Sequence, residues 1–273
     1  MIRIQNGFTI SYDCPQPVPM VLMLSLHPSR EADLLTPHVI TFNPGIEARR
    51  YADDFGNVCH RIMAPAGPLT LSCLFEVQDG GLPDAVVPEA KQIPVDELPS
   101  ATLVYLLGSR YCDTDLLRDT AWSLFGGVDP GWARVKAICD FTYDRITFGY
   151  EYARPDKTAR NAYDERRGVC RDFAHLALTL CRCMNIPARY CTGYMGDIGI
   201  PPVDAPMDFS GWFEVFLDGP EGPRWYTGDA RHNVPRIGRV LMARGRDATD
   251  VALVTSFGPN WLAKFDVVAQ EMS

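Results

Sequence analysis

The residues best suited to chemistry lie in the stretch 166–176, whose sequence is Arg-Arg-Gly-Val-Cys-Arg-Asp-Phe-Ala-His-Leu. Cys170 opens an apolar helical pattern directly after Gly168 and Val169, so we expect its thiol at or near a helix N-terminus. The free N–H groups and the dipole at that end favour a thiolate over a thiol. One interpretation is a nucleophilic cysteine. The other is a small buried core residue, which free cysteine often is.

The elements that must position this thiol follow from the pattern around it. We predict a helix over residues 169–184, ended by Asn185-Ile186-Pro187, and then a strand over residues 188–195. Further strands are predicted at 212–217, 224–229 and 240–242, and those at 251–255 and 265–269 are expected to continue the same sheet. Helical patterns also precede the cysteine, at 113–125 and from 130 onward. The second half is therefore predicted to be α+β, with helices packed on an antiparallel sheet.

The first 80 residues have a different pattern, with short β-like runs separated by turn signals. Residues 54–57 are typical of a hairpin tip, with Gly56 or Asn57 taking a positive φ. Strands at this spacing predict an N-terminal β-sandwich. Gly81 and the prolines at 83, 88, 94 and 99 then interrupt any long regular element in residues 81–99, which predicts an extended linker. We therefore expect a β-rich domain at 1–80, a linker at 81–99 and a core domain at 100–273.

Composition limits the classes of partner. The chain has 273 residues, 47% of them hydrophobic, and a formal net charge of −8. An acidic chain without a basic stripe argues against nucleic acid and anionic membrane surfaces as partners. Six arginines between 224 and 246 are a local exception. They form either a solvated, salt-bridged face or a site for a substrate carboxylate.

The cysteines argue for a reducing compartment and against a metal. There are nine, an odd number with irregular spacing, and the N-terminal ten residues alternate like a strand without the apolar run of a signal peptide. No run approaches the length of a membrane span. We therefore expect a cytoplasmic protein with reduced thiols. Cys181 and Cys183 lie two apart in the expected helix and point to different faces, so zinc is disfavoured, and no cofactor is expected.

Five motifs in order carry a resemblance to a known family. They are 168–176 around the cysteine, Asn-Ile-Pro-Ala-Arg-Tyr at 185–190, Gly-Tyr at 193–194, Asp-Phe-x-x-Trp-Phe-Glu-Val-Phe at 208–216, and Trp-Tyr-x-x-Asp-Ala-Arg-His-Asn at 225–233. Together they resemble the core of the bacterial transglutaminase-like superfamily, which are papain-like thiol enzymes. The matching region covers about 155 to 260, and the β-rich first third resembles the domain that accompanies this core in bacterial members.

The resemblance implies roles for three positions. Cys170 matches the nucleophile, and Asp229 matches the acid that orients a catalytic histidine. That histidine belongs at the start of a hairpin strand, in a His-Ala-Trp step, but the step here is Ser210-Gly211-Trp212. A serine hydroxyl neither abstracts a thiol proton nor protonates a leaving amine well near neutral pH. A Cys–His pair can lower a thiol pKa to roughly 3–4, against about 8.5 for an unassisted thiol.

Two other histidines could take the missing role. His175 lies five residues along the helix from Cys170, roughly 140° away around the axis, so it is expected to pack in the core instead. His232 lies three residues after Asp229, and that odd offset puts it on the opposite face of a strand, unless a turn at Ala230-Arg231 redirects it.

Two functions therefore remain open. The first is a thiol enzyme that acts on amide or peptide bonds of a peptide or protein substrate, as a cysteine protease-like hydrolase or an acyl transferase. The second is a pseudoenzyme with the same fold, whose cleft binds a peptide or protein and turns over little or nothing.

Overall fold

A computed structural model describes residues 1–202 and 206–272. Within them the strands are β1 (Ile2–Cys14), β2 (Val18–Leu22), β3 (Thr41–Asn43), β4 (Ala48–Ala52), β5 (Val58–Ala64), β6 (Gly67–Asp79), β7 (Thr147–Phe148), β8 (Arg167–Gly168), β9 (Ala188–Met195), β10 (Ser210–Gly219), β11 (Gly222–Gly228), β12 (Arg239–Gly245), β13 (Val254–Ser256) and β14 (Trp261–Met272). The helices are α1 (Ser100–Leu103), α2 (Thr114–Phe125), α3 (Trp132–Arg145), α4 (Ala159–Glu165) and α5 (Cys170–Cys183).

The N-terminal region is a sandwich of two antiparallel sheets, as predicted. Their strand orders are β14-β1-β6-β3 and β13-β2-β5-β4. In β6 every second residue is buried, from Leu69 through Phe75 to Val77, so one face of the strand supplies the core. The predicted hairpin tip between β4 and β5 is confirmed: Gly56 has φ 80°, and the Asp53 carboxylate accepts hydrogen bonds from the N–H groups of Phe55 and Asn57.

The two C-terminal strands do not continue the core sheet, and that expectation was wrong. β14 pairs with β1 over almost its whole length, and β13 pairs with β2. The apolar alternation of these strands specifies a half-buried strand but not its neighbour, and the N-terminal strands had edges left to fill. The division of the chain at residues 80 and 100 stays a prediction, with these two strands lying on the sandwich side.

The core is α+β, as predicted. Its antiparallel sheet has the order β11-β10-β9-β12, and α5 packs against β9 and β10. From Asp172 to Cys183 every residue of α5 is buried. Helices α2, α3 and α4 surround it on its other sides. A helix enclosed in this way is held rigidly, which fixes the position of its N-terminus.

The segment between sandwich and core is tied down at several points. The Asp84 carboxylate accepts hydrogen bonds from the Arg236 N–H and from the Arg239 guanidinium. Lys91 forms a β-bridge with Asp218, and the Gln92 side chain donates to the Met184 carbonyl. These contacts hold the linker against the core.

Over residues 1–202 and 206–272, none of the helices combines the length and apolarity that crossing a bilayer requires.

Candidate active site

Cys170 is the first residue of α5, where the sequence predicts it. Val169 is extended, with φ −109° and ψ 176°, and the chain turns into the helix directly after it. Asp172 fixes this turn, because its Oδ2 accepts a hydrogen bond of 2.9 Å from the Val169 N–H while its own N–H donates to the Val169 carbonyl. A side chain at Gly168 would overlap the Asp172 carboxylate, so glycine is required there.

A buried lysine holds the chain that leads to the cysteine. Lys157 is 1% exposed, and its Nζ donates to the carbonyls of Tyr152 and Arg167 at 3.1 and 2.9 Å. The same Nζ lies 3.4 Å from Glu165 and 3.9 Å from Asp172. One cation thus joins the segment 150–158 to the residues just before α5.

Cys170 and Ser210 line the same cleft, which has a volume of about 540 Å³. Most of its wall is apolar or aromatic, and that set comprises Tyr111, Ala153, Pro155, Val169, Tyr190, Phe209, Ala248, Val251, Ala252 and Leu253. Its charged residues are Arg154, Arg171 and Asp208. A cleft of this size and lining suits an extended peptide segment with apolar side chains.

The thiol does not have the protonation state that a helix N-terminus alone would give. Burial raises the pKa of Cys170 to about 11, and the charges of Asp208 and Asp172 add to the effect. The backbone N–H groups of Gly211 and Arg171, which bond to the sulfur, oppose it without reversing it. The expected preference for thiolate was therefore wrong for this environment, because desolvation and nearby carboxylates outweigh the helix terminus.

Ser210 begins β10, the strand position that the resemblance assigns to a histidine. It pairs with Gly193 of β9, and its carbonyl accepts a hydrogen bond from Thr192 Oγ1. At the next position a side chain on Gly211 would overlap the hydroxyl of Tyr190. The Tyr190 hydroxyl therefore occupies the space that the methyl group of an alanine at position 211 would need.

Asp208 and Tyr150 complete the surroundings of the thiol, and sequence reasoning did not single out either. Burial raises the pKa of Asp208, although the Phe209 N–H donates to its Oδ1 at 2.7 Å. Burial also raises the pKa of the Tyr150 phenol, and the charge of Asp208 adds to the effect. The sequence feature that could have indicated Asp208 as a site residue is its position at the start of the fourth motif, two residues before Ser210.

Asp229 lies just beyond the end of β11, and its carboxylate is fully engaged away from this cleft. Its Oδ1 accepts from the N–H groups of Arg231 and His232, and its Oδ2 from His232 Nδ1 at 2.9 Å and from Arg239 Nη2 at 2.7 Å. Burial would raise its pKa, but the His232 and Arg239 contacts hold that pKa far below the usual range. Its role as the orienting acid stays a prediction, because its imidazole partner is His232 rather than a residue at 210.

A turn at residues 230–232 redirects the chain, so the His232 side chain contacts Asp229. This turn is the exception that the sequence analysis allowed to the expected opposite-face placement of His232. Its Nδ1 faces the carboxylate, which is how an acid orients an imidazole for proton transfer. In the described part of the chain no hydrogen bond joins His232 to Cys170, and His232 is not among the residues that line the cleft. The structure therefore builds an Asp–His pair and a cysteine cleft without a direct contact between them.

His175 lies in the core, as predicted from its angle on the helix. It is completely buried, and its ring stacks on Tyr111 at 5.1 Å. Its Nε2 accepts a hydrogen bond from the Ala248 N–H, and burial lowers its pKa to about 3. A neutral ring with this nitrogen engaged is structural.

The cysteines show no metal-binding arrangement within the described part of the chain. All nine are free thiols, and no group of three or more His, Cys, Asp or Glu side chains there could hold a metal ion.

Comparisons with known proteins agree with this architecture. The family described as the Transglutaminase-like superfamily matches residues 118–230. An uncharacterized protein of Mycobacterium leprae strain TN is 34% identical over 99 residues, which is 34% of this chain and 32% of that protein, so the match spans about a third of the relative. The crystal structure of a "Putative Cysteine Protease" from Cytophaga hutchinsonii is 27% identical, with a TM-score of 0.84 over 100% of this chain and 91% of that one. The core therefore has the fold of the transglutaminase-like superfamily, and the likeness to the Cytophaga hutchinsonii structure extends over the N-terminal β-sandwich as well.

Proposed function

We propose that the protein is a thiol enzyme that cleaves or transfers acyl groups at amide bonds of a peptide or protein, with Cys170 as the nucleophile. The observation that carries this is the placement of Cys170 at the start of a rigid buried helix, opening into an apolar cleft of about 540 Å³. The similar structure from Cytophaga hutchinsonii, described as that of a "Putative Cysteine Protease", supports the same class of reaction.

In this reaction the Cys170 sulfur attacks the amide carbonyl carbon, its proton leaves to an acceptor, and the amine departs with a proton. Within the cleft the available acceptor is the Asp208 carboxylate, whose charge acts directly on the thiol. Asp208 would then return the proton to the leaving amine, so protons balance over the cycle. Water or an amine releases the acyl group from sulfur, giving hydrolysis or transfer respectively.

Turnover by this route is expected to be slow. With a thiol pKa of about 11, only about one site in ten thousand carries a thiolate at pH 7. A carboxylate is also a much weaker base than an imidazole toward such a thiol. The serine at 210 therefore lowers the rate without removing the nucleophile.

The second candidate function is a pseudoenzyme that binds a peptide in the same cleft. The specific observation in its favour is the combination of Ser210 in the cleft with the raised pKa of the thiol. The Asp–His pair outside the cleft points the same way, because its imidazole has no contact with the sulfur.

The test is the pH dependence of Cys170 alkylation by iodoacetamide, followed by mass spectrometry, together with turnover of a peptide pool. The other eight cysteines are buried, so Cys170 is the thiol expected to react in the folded protein. Cysteine-dependent release of an amine or peptide product, abolished in Cys170→Ser, supports the enzyme. Peptide binding that persists in Cys170→Ser, with no product from the parent protein, supports the pseudoenzyme instead. Added hydroxylamine separates the two acyl acceptors, because a transferase yields the hydroxamate.

We also propose a cytoplasmic location, which the nine free thiols support.

A further inference from the structure

The Tyr190 hydroxyl is a buried polar group of the cleft to which the proposed reaction assigns no part. Tyr190 lies in β9, an inner strand of the core sheet, and is 4% exposed. Its ring packs against the His175 ring at 5.0 Å, and His175 in turn stacks on Tyr111. Packed rings therefore hold the phenol in one orientation.

This hydroxyl lies beside the residue whose N–H contacts the nucleophile. A side chain at Gly211 would overlap the Tyr190 hydroxyl, and the Gly211 N–H bonds to the Cys170 sulfur. All three residues line the cleft. The hydroxyl is therefore in the part of the cleft where the carbonyl group of a substrate meets the thiol.

Across residues 1–202 and 206–272 the Tyr190 hydroxyl has no hydrogen-bond partner, yet it is not sealed in the core. The hydroxyls of Tyr194 and Tyr226 are also unpartnered, but those two have almost no accessible surface, whereas that of Tyr190 keeps some in the cleft. Native proteins rarely leave a buried hydroxyl without a partner. The natural partner of this one is an acceptor atom that enters the cleft.

The Tyr190 phenol is a hydrogen-bond donor at neutral pH. Burial raises its pKa well above the usual value for tyrosine, so the group keeps its proton whenever the thiol reacts. A fixed neutral donor in a site with little water stabilises a developing oxyanion without having to reorient. Further donors lie at the start of α5, because the first N–H groups of a helix have no partner within it.

We propose that the Tyr190 hydroxyl is an oxyanion donor for acyl transfer to Cys170, an inference that rests on the proposed nucleophilic role of that residue. When the sulfur attacks a carbonyl carbon, the S–C bond forms and the carbonyl π electrons move to the oxygen. The Tyr190 O–H donates a hydrogen bond to this oxyanion and keeps its proton. The oxyanion then re-forms the carbonyl as the amine of an amide, or the alkoxide of an ester, departs.

The test compares two reactions of Cys170 in the intact protein, only one of which forms an oxyanion. p-Nitrophenyl acetate acylates the thiol through a tetrahedral oxyanion and releases nitrophenolate, whereas iodoacetamide alkylates it by direct displacement. Mass spectrometry of the peptide that contains Cys170 measures both rates, and Cys170→Ser gives the background. Neither reaction needs turnover of a peptide substrate, so failure of this inference is distinguishable from failure of the proposed function.

Tyr190→Phe is expected to slow acylation by about 100-fold, because removing one oxyanion donor costs about 10²–10³ in rate. Its alkylation rate should equal that of the parent, since the substitution keeps the ring and leaves the sulfur in place. The matched control is Tyr194→Phe. Tyr194 is a fully buried phenol on the same strand and is not among the residues that line the cleft, so neither rate should change.

Equal acylation of the parent and Tyr190→Phe would overturn the proposal, because the hydroxyl would then contribute nothing to the oxyanion. An equal loss in acylation and alkylation would also overturn it, since that result indicates a displaced sulfur. So would a parent protein in which the ester does not acylate Cys170. Acylation that depends on Tyr190, in a protein that turns over no peptide, supports the oxyanion role and contradicts the proposed function alone.

Discussion

Arg239 and His232 share one carboxylate oxygen, Oδ2 of Asp229, at 2.7 and 2.9 Å. The guanidinium charge and the imidazole hydrogen bond together overcome the burial of Asp229 and hold its pKa far below the usual range. Asp229 is thus a buried anion whose ionised form the folded state prefers. It links β12, which carries Arg239, to the turn that carries His232.

Asp229→Asn is expected to lower the free energy of unfolding by about 1–3 kcal/mol at pH 7, because it removes one of the two carboxylates that pair with the buried Arg239 and leaves Asp84 as the other. The folded pKa is below the unfolded value of about 3.9, so the stabilisation is complete above that pH and is lost as the pH falls through the folded pKa. Urea unfolding at several pH values measures this. The difference between parent and variant should be constant above about pH 5 and shrink below about pH 4.

Asp156→Asn is the control, because Asp156 pairs with Arg154 at the surface and its side chain is 68% exposed. Such a pair contributes about 0–1 kcal/mol. A loss as large in this variant, or a pH-independent difference for Asp229→Asn, would contradict the account of Asp229.

The sequence predicts the elements around the site well, and their long-range partners poorly. The helix beginning at Cys170 and the strands β9 to β12 follow from local periodicity, which is a property of each segment alone. The pairing of β14 with β1 spans nearly the whole chain, and no local pattern encodes it. β4 has no local signal of this kind, because four of its five residues are exposed and it lacks apolar alternation.

The same limit applies to the chemistry of the site. Motif order singled out Cys170, Ser210 and Asp229; Cys170 and Ser210 line one cleft and Asp229 does not line it, and motif order says nothing of the environment of the sulfur. The high pKa of the thiol comes from burial and from Asp208, and neither is visible in spacing. The Asp229–His232 contact depends on the turn at 230–232, which strand parity alone argues against.

Ser210→His is expected to lower the pKa of Cys170 from about 11 to below about 9, because an imidazolium in the cleft stabilises the thiolate. The rate of iodoacetamide alkylation at pH 7 should then rise by about 100-fold. Ser210→Ala controls for loss of the hydroxyl and should behave as the parent. Equal rates in the two variants would show that position 210 does not act on the sulfur.

Asp208→Asn separates two effects of the Asp208 carboxylate: its charge raises the pKa of the thiol, and it is the proposed proton acceptor. Removing its charge is expected to lower the pKa of Cys170 and raise the alkylation rate at fixed pH by about 3- to 10-fold. Turnover of a peptide substrate should fall instead, since the proposed proton acceptor is gone. Asp156→Asn should change neither rate. If alkylation and turnover rise together, Asp208 acts only as a nearby charge and is not the acceptor.

Lys157→Met tests how the cleft wall is held. The variant leaves the Tyr152 and Arg167 carbonyls without their donor and removes one of the two cations near Asp172, the other being Arg171. We therefore expect a loss of about 1–3 kcal/mol in the free energy of unfolding. Hydrogen exchange should accelerate first in residues 150–158, which Lys157 joins to the start of α5. Lys136→Met, at an exposed pair with Asp140, is the control and should cost about 0–1 kcal/mol. Unchanged exchange in residues 150–158 would show that other contacts hold that wall.

Gly211→Ala tests the close approach of Tyr190 to β10. The added methyl group would overlap the Tyr190 hydroxyl, and overpacking of this kind costs about 1–3 kcal/mol. Tyr190→Phe removes that hydroxyl, so the double variant should recover most of the loss. A double-mutant cycle in urea is expected to give a favourable coupling of about 0.5–3 kcal/mol between the two substitutions. Additive losses would mean that the methyl group is accommodated by the backbone of β10. In that case the serine at 210 would be displaced as well, and Cys170 alkylation in Gly211→Ala would change along with stability.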